Sequence, residues 1–194
     1  MKVLLSCFLL FFIFEFNGTA QNRIYFPVKA HDDSGLSSFE VKWYSNALSA
    51  MNEPILFIDK TNNEVYRFTW LRSFHHPIAI RIAKQGDAYF ICWKSLSGAG
   101  GYAPGKLIVN KQKNISKVIW NKFIEQIAGI DFWSMKTSVN ETGLDGAQWI
   151  LEGRSVGKYH VVDKWTPQAS SDYYKCCDFL IGLTDLQFKG NEKY

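Results

Sequence analysis

The sequence predicts a single α+β domain: a mostly antiparallel sheet of about five to seven strands with about three helices packed on it. Three observations carry that expectation. Apolar residues recur at helical spacing in three places, and period-two strand patterns fill the stretches between them. No internal repeat or low-complexity linker divides the 194 residues, a length that suits one domain of ordinary size.

The opening residues stand apart. Met1-Lys2 is a short positive region, and Val3 to Phe14 is an apolar run broken only by Ser6. Gly18-Thr19-Ala20 then places small residues before Gln21. That order is the one a signal peptidase reads, so residues 1–20 are expected to be a cleaved signal peptide and 21–194 a single exported domain. The run is too short to cross a hydrocarbon core of roughly 30 Å. Leu4-Leu5-Ser6-Cys7 resembles a lipoprotein site but leaves almost no apolar stretch ahead of Cys7. The expected location is therefore periplasmic or secreted, with no integral membrane segment after cleavage.

The elements follow in order. Ser37-Ser38-Phe39-Glu40 has the form of a capping box, with Ser37 as the cap and Glu40 reaching back. Trp43, Tyr44, Ala47, Leu48 and Met51 then recur on one helical face until Pro54 stops the pattern. Ile55–Ile58 reads as a short strand closed by Asn62-Asn63. Tyr66, Phe68 and Trp70 alternate with Arg67 and Thr69, and Ile78, Ile80 and Ile82 alternate with Ala79 and Arg81, the period of strands. Gln85-Gly86-Asp87 turns the chain into Tyr89–Trp93, completing a hairpin. Leu107–Val109 is a further strand after a glycine-rich stretch. A second helix begins near Ser116, faces Trp120, Phe123, Ile124 and Ile127 inward, and ends at Gly129. Gln148–Arg154 and Lys158–Trp165 form a second hairpin around Ser155-Val156-Gly157. A third helix starts near Ser171 and turns Tyr173, Cys177, Leu180 and Ile181 inward. Helices are expected on one side of the sheet.

Composition narrows the function. The net charge is +4 and stays so without Lys2 and Glu15. The charges are scattered, whereas nucleic-acid binding needs a basic patch or stripe, so no nucleic acid is expected as a partner. Cys92, Cys176 and Cys177 remain after cleavage. Export permits a disulfide from Cys92 to one of the pair, but small buried hydrophobes are the preferred reading, because a chain of this size needs no staple.

Gly100-Gly101-Tyr102-Ala103-Pro104-Gly105-Lys106 fits the spacing of a phosphate-binding loop. Leu107 stands where the motif needs a Ser or Thr hydroxyl, and the residues after it read as strand where a helix N-terminus is required. Neither nucleotide nor any other cofactor is expected. The glycines are read instead as allowing positive φ or close backbone approach. Phe74-His75-His76-Pro77 carries two histidines, but adjacent strand residues face opposite ways. Compact zinc spacing such as H-E-x-x-H is absent, so no metal is assigned and the stretch reads as a polar bend.

The second hairpin holds the densest group of functional types: Asp145, Trp149, Glu152, Tyr159, His160, Asp163 and Trp165. With a three-residue loop ending in a left-handed Gly157, Glu152 would oppose His160, and Ile150 would oppose Val162. Trp149, Leu151, Tyr159 and Val161 would then lie under a helix. A carboxylate beside an imidazole is either an acid–base pair or an ordinary cross-strand ion pair worth ~0.2–1 kcal/mol. A two-residue turn would abolish the pairing. With Arg72 as an anion-binding group, the candidate ligand-binding or polar cluster is Arg72, His75, His76, Glu152 and His160.

Four phrases carry a resemblance: Trp70–Pro77 (WLRSFHHP), Gly100–Gly105 (GGYAPG), Asp145–Gly153 (DGAQWILEG) and Gly157–Val162 (GKYHVV). As a set they resemble a group of uncharacterised bacterial proteins, many of them exported, over Glu64 to Leu183. The resemblance implies a bacterial, envelope-side protein and transfers no functional residue.

Two functions are weighed. One is a non-catalytic envelope module that binds a small molecule or another envelope protein. The other is a hydrolase-type enzyme using Glu152 and His160. An enzyme needs the polar cluster to converge on one cleft, and a binding module needs only an exposed aromatic patch. The binding module is the preferred expectation.

Overall fold

In the computed structural model, the structure describes residues 23–28, 35–138, 143, 145–190 and 192–194. The expected signal peptide lies outside the described residues. The chain forms helix α1 (Ser38–Ala50), strands β1 (Glu64–Arg72), β2 (Ile78–Gln85), β3 (Ala88–Leu96) and β4 (Leu107–Asn114), and helix α2 (Lys117–Gly129). Strands β5 (Ala147–Ser155) and β6 (Lys158–Trp165) and helix α3 (Asp172–Gly182) complete it. The six strands form one antiparallel sheet in the order β4-β3-β2-β1-β5-β6. This is the α+β fold that the alternating patterns predict. Among the described residues no helix is long and apolar enough to cross a membrane.

Each helix starts where its cap directs. Ser37 accepts from Glu40 N and Glu40 returns the bond to Ser37 N, the full capping box. Ser116 and Ser171 cap α2 and α3 in the same position, accepting from Ile119 N and Tyr174 N. Such caps are worth about 1 kcal/mol each.

The helices cover both faces of the sheet rather than one. Tyr66, Phe68 and Trp70 of β1 and Trp149 and Leu151 of β5 pack with α2 and α3 on the back face. Leu71, Ala79, Ile150 and Val161 pack with Tyr44, Ala47 and Leu48 of α1 on the front. The reason lies in β1, whose residues are buried on both faces from Val65 to Arg72. A strand apolar on alternate positions with Leu71 and Val65 between them needs cover on both sides. Tyr66 anchors the back layer through edge-to-face contacts with Phe123 at 5.3 Å and Phe132 at 6.0 Å, geometries worth about 0.5–1.5 kcal/mol beyond burial.

Ile55–Ile58 is a turn rather than a strand. Only Leu56 is buried there, and Ile58 is 56 % exposed. The strand beginning at Leu107 runs five residues past Val109, to Asn114, as an edge held only to β3. Cys92, Cys176 and Cys177 are all buried and free.

The hairpin register differs from the three-residue-loop expectation. Ser155 pairs Lys158, so the loop is the two residues Val156-Gly157, with Gly157 at φ +70°. One position of slip reverses every side chain. Glu152 pairs Val161, Gly153 pairs His160, and Ile150 pairs Asp163. Glu152 and His160 therefore point to opposite faces. Trp149 and Leu151 do lie under helices on the back, but Val161 and Tyr159 pack on the front.

Candidate functional site

A cleft of about 750 Å³ opens at one end of the front face. One wall is the outer flank of α1. Phe39, Trp43 and Asn46 stand four and three residues apart, which aligns them on one helical side, away from the Val41, Tyr44 and Leu48 stripe that enters the core. The facing wall is built from two loops: Ser73-Phe74 after β1 and Gly101-Tyr102 between β3 and β4. Asp145, Gln148 and Trp165, at the adjoining ends of β5 and β6, form the floor.

The glycine-rich loop is fixed by this arrangement. Gly100 N donates to the carbonyls of Arg72 and His75 at 2.9 and 3.0 Å, and Gly101 N to Ser73 O at 3.3 Å. A Cβ on Gly100 would stand 2.6 Å from the Arg72 backbone, so only glycine permits the approach. Trp43 Nε1 donates to Gly100 O at 2.7 Å, tying α1 to the loop. Ser73 donates through both N and Oγ to Gly146 O at 2.9 Å, tying the bend to the floor. The walls are thus joined through the Trp43 indole on one side and by backbone and Ser73 bonds on the other, which fix their spacing.

The rings on these walls face water. Phe39 is 73 % exposed, Tyr102 69 % and Phe74 58 %. Phe74 and Tyr102 lie 6.4 Å apart at 33°, and Phe39 and Trp43 5.9 Å apart at 45°.

The polar cluster expected from sequence is divided. Arg72, His75 and His76 come together behind the cleft, where other residues occupy them. Arg72 lies 4.4 Å over the Trp70 ring and donates to Glu192 O and His76 O. Burial brings its guanidinium down to about 10, against a rise from Glu192 and Tyr194. His75 Nδ1 shares a hydrogen bond with the Tyr194 hydroxyl at 2.8 Å, and His76 Nδ1 meets Gly98 O at 2.9 Å. Glu152 lies five residues along β5 from Ala147, the partner of Arg72, or about 16 Å of strand.

Glu152 is fully buried on the front face. Arg67 donates to it from Nε at 2.8 Å, and Tyr159 Oη donates at 2.9 Å. Burial raises the Glu152 carboxyl, and Arg67 offsets part of that rise. Glu53 joins the same network. Burial would raise its carboxyl too, but Arg67, Arg81 and Lys94 together hold it below the ordinary value. His160 sits on the back, its Nε2 at 2.9 Å from Met135 O and its ring edge-on to Phe132. Burial lowers it, against a rise from the Met135 carbonyl. Among the described residues no group of three His, Cys, Asp or Glu side chains is placed to hold a metal ion.

Sequence reasoning missed Phe39, Trp43, Phe74 and Tyr102 as site residues. Their signal was present: Phe39 lies off the inward stripe of its helix, and Phe74 and Tyr102 occupy turns, where large apolar rings lack a core to enter. The chain matches no protein-family model and no curated protein sequence.

Proposed function

We propose that this protein is an exported, non-catalytic binding module whose ligand lies in the cleft between α1 and the Phe74 and Tyr102 loops. One observation carries the reading: three of the most exposed large apolar side chains, Phe39, Phe74 and Tyr102, border the same cleft. Exposed apolar groups scattered singly need no explanation, but a contiguous set rimmed by polar residues marks an interaction site. The volume falls within the roughly 300–1,000 Å³ of ligand pockets. Export is supported by the order of charge, apolar run and small residues in Met1–Ala20. The hydrolase alternative needs Glu152 beside His160, and the register sets them on opposite faces.

The test is a ligand-observed NMR screen with a fragment library. Hits are expected to be lost in Phe39→Ala and Tyr102→Ala, with stability changed by no more than about 0.5 kcal/mol, as for exposed positions. Hits that survive both substitutions, or none at all, would reject the reading. Amino-terminal sequencing of material recovered from the envelope fraction is expected to begin at Gln21, and an intact Met1 would reject export.

A further inference from the structure

We infer that the cleft takes a neutral carbohydrate chain, an inference that rests on the preceding reading that this cleft is the binding site. Several hydrogen-bonding groups in the cleft are already engaged and others are free. Trp43 Nε1 is committed to Gly100 O, Ser73 Oγ to Gly146 O, and Glu40 to the α1 cap. Among the described residues, the side chains of Asn46, Asp145, Gln148 and Lys42 make no hydrogen bond, and all four line the cleft.

That set offers both donors and acceptors: the Lys42 ammonium only donates. A carboxylate only accepts, and an amide side chain both accepts and donates. Sugar hydroxyls do both, so each finds a partner here. The aromatic walls supply the other half of sugar recognition. An aromatic face carries negative charge density, and the C–H face of a pyranose is apolar with a slightly positive edge. Phe74 with Tyr102, and Phe39 with Trp43, form two such platforms on opposite sides.

The same inventory disfavours other ligands. A proline-rich peptide presents backbone carbonyls and lacks proline N–H groups, so its groove must donate. Lys42, Asn46 and Gln148 could donate to it, but it offers the Asp145 carboxylate no proton to accept, whereas a sugar hydroxyl does. An anionic ligand would meet Lys42 alone, against Asp145 and Glu40, a local balance of −1 with all three ionised.

The experiment is an array of neutral and acidic glycans probed with the full exported domain, with decaproline and the fragment hits run in parallel. At least one neutral oligosaccharide is expected to bind saturably. Tyr102→Ala and Phe74→Ala should each weaken binding about tenfold or more, as removal of a central anchor does, with the melting temperature unchanged. An array silent for neutral glycans, binding confined to acidic glycans, or binding of decaproline alone overturns the carbohydrate assignment. If fragments still bind at the cleft in any of those cases, the binding-module reading stands. If nothing binds there, both fall.

Discussion

The Tyr44 hydroxyl donates to Asp163 Oδ2 at 2.7 Å, fastening α1 to β6 where neither residue reaches solvent. Burial raises the Asp163 carboxyl to about 7, with the Tyr44 bond acting against the rise and Glu40 adding to it. The native state therefore holds a proton that the unfolded chain has released, between about pH 4 and pH 7. This contribution to stability is fully present below about pH 4 and is lost as pH rises to about 7. Asp163→Asn removes the dependence. Urea melts at pH 4.5 and pH 8 should show wild type losing on the order of 3 kcal/mol more than the variant. Parallel losses in the two proteins would show that Asp163 titrates normally.

Arg67 is fully buried and bridges two glutamates, at 2.6 Å from Glu152 and 3.5 Å from Glu53. Arg67→Ala strands Glu152 without a counter-charge and should cost about 3–5 kcal/mol. The double change Arg67→Met with Glu152→Leu removes both charges and should recover most of that loss. Chemical denaturation of the single and double variants decides it. Additive losses would mean that the pair does not interact.

Two glycine substitutions should act in opposite directions. Gly100→Ala forces the loop from the Arg72 backbone and should lower stability by about 1–3 kcal/mol, the cost of overpacking. Gly129 ends α2, and a methyl added there would meet nothing within 4 Å, so Gly129→Ala should raise stability by up to about 1 kcal/mol. Thermal melts read both, and a stable Gly100→Ala would disprove the close approach.

The thiols should be silent in the native protein. Cys92, Cys176 and Cys177 are buried, and burial pushes the Cys176 thiol up to about 12, leaving almost no reactive thiolate. Ellman's reagent at pH 8 should find no fast-reacting thiol before denaturation. In guanidinium it should find three per chain if cleavage precedes Gln21, and four if Cys7 is retained.

The fold was legible because its signals are local. Ser37 with Glu40 marks the start of α1, Pro54 follows its end, and Tyr66, Phe68 and Trp70 reveal β1 by alternation alone. Register was harder. Gly157 suits a left-handed position in either loop length, and one residue of slip separates Glu152 from His160. The cleft was least legible, because its walls come from α1, two loops and the ends of β5 and β6. Nothing in the spacing of Phe39 and Tyr102 announces that they share a cavity. The hairpin group stands out by its residue types, yet packing divides it: Asp145 and Trp165 reach the cleft, while Trp149, Glu152 and Asp163 are buried.

The place of β1 in the sheet sets a timetable for synthesis. Its partner on one side, β2, follows within a few residues, but the bond from Arg67 to Glu152 spans 85 residues. At about 5–20 residues per second, a ribosome takes several seconds to cover that distance. Until β5 emerges, the central strand has one edge bare, with Val65, Phe68 and Leu71 uncovered beside it. A bare apolar edge pairs readily with other chains, so β1 is exposed to mispairing in any chain that has not yet brought β5 beside it.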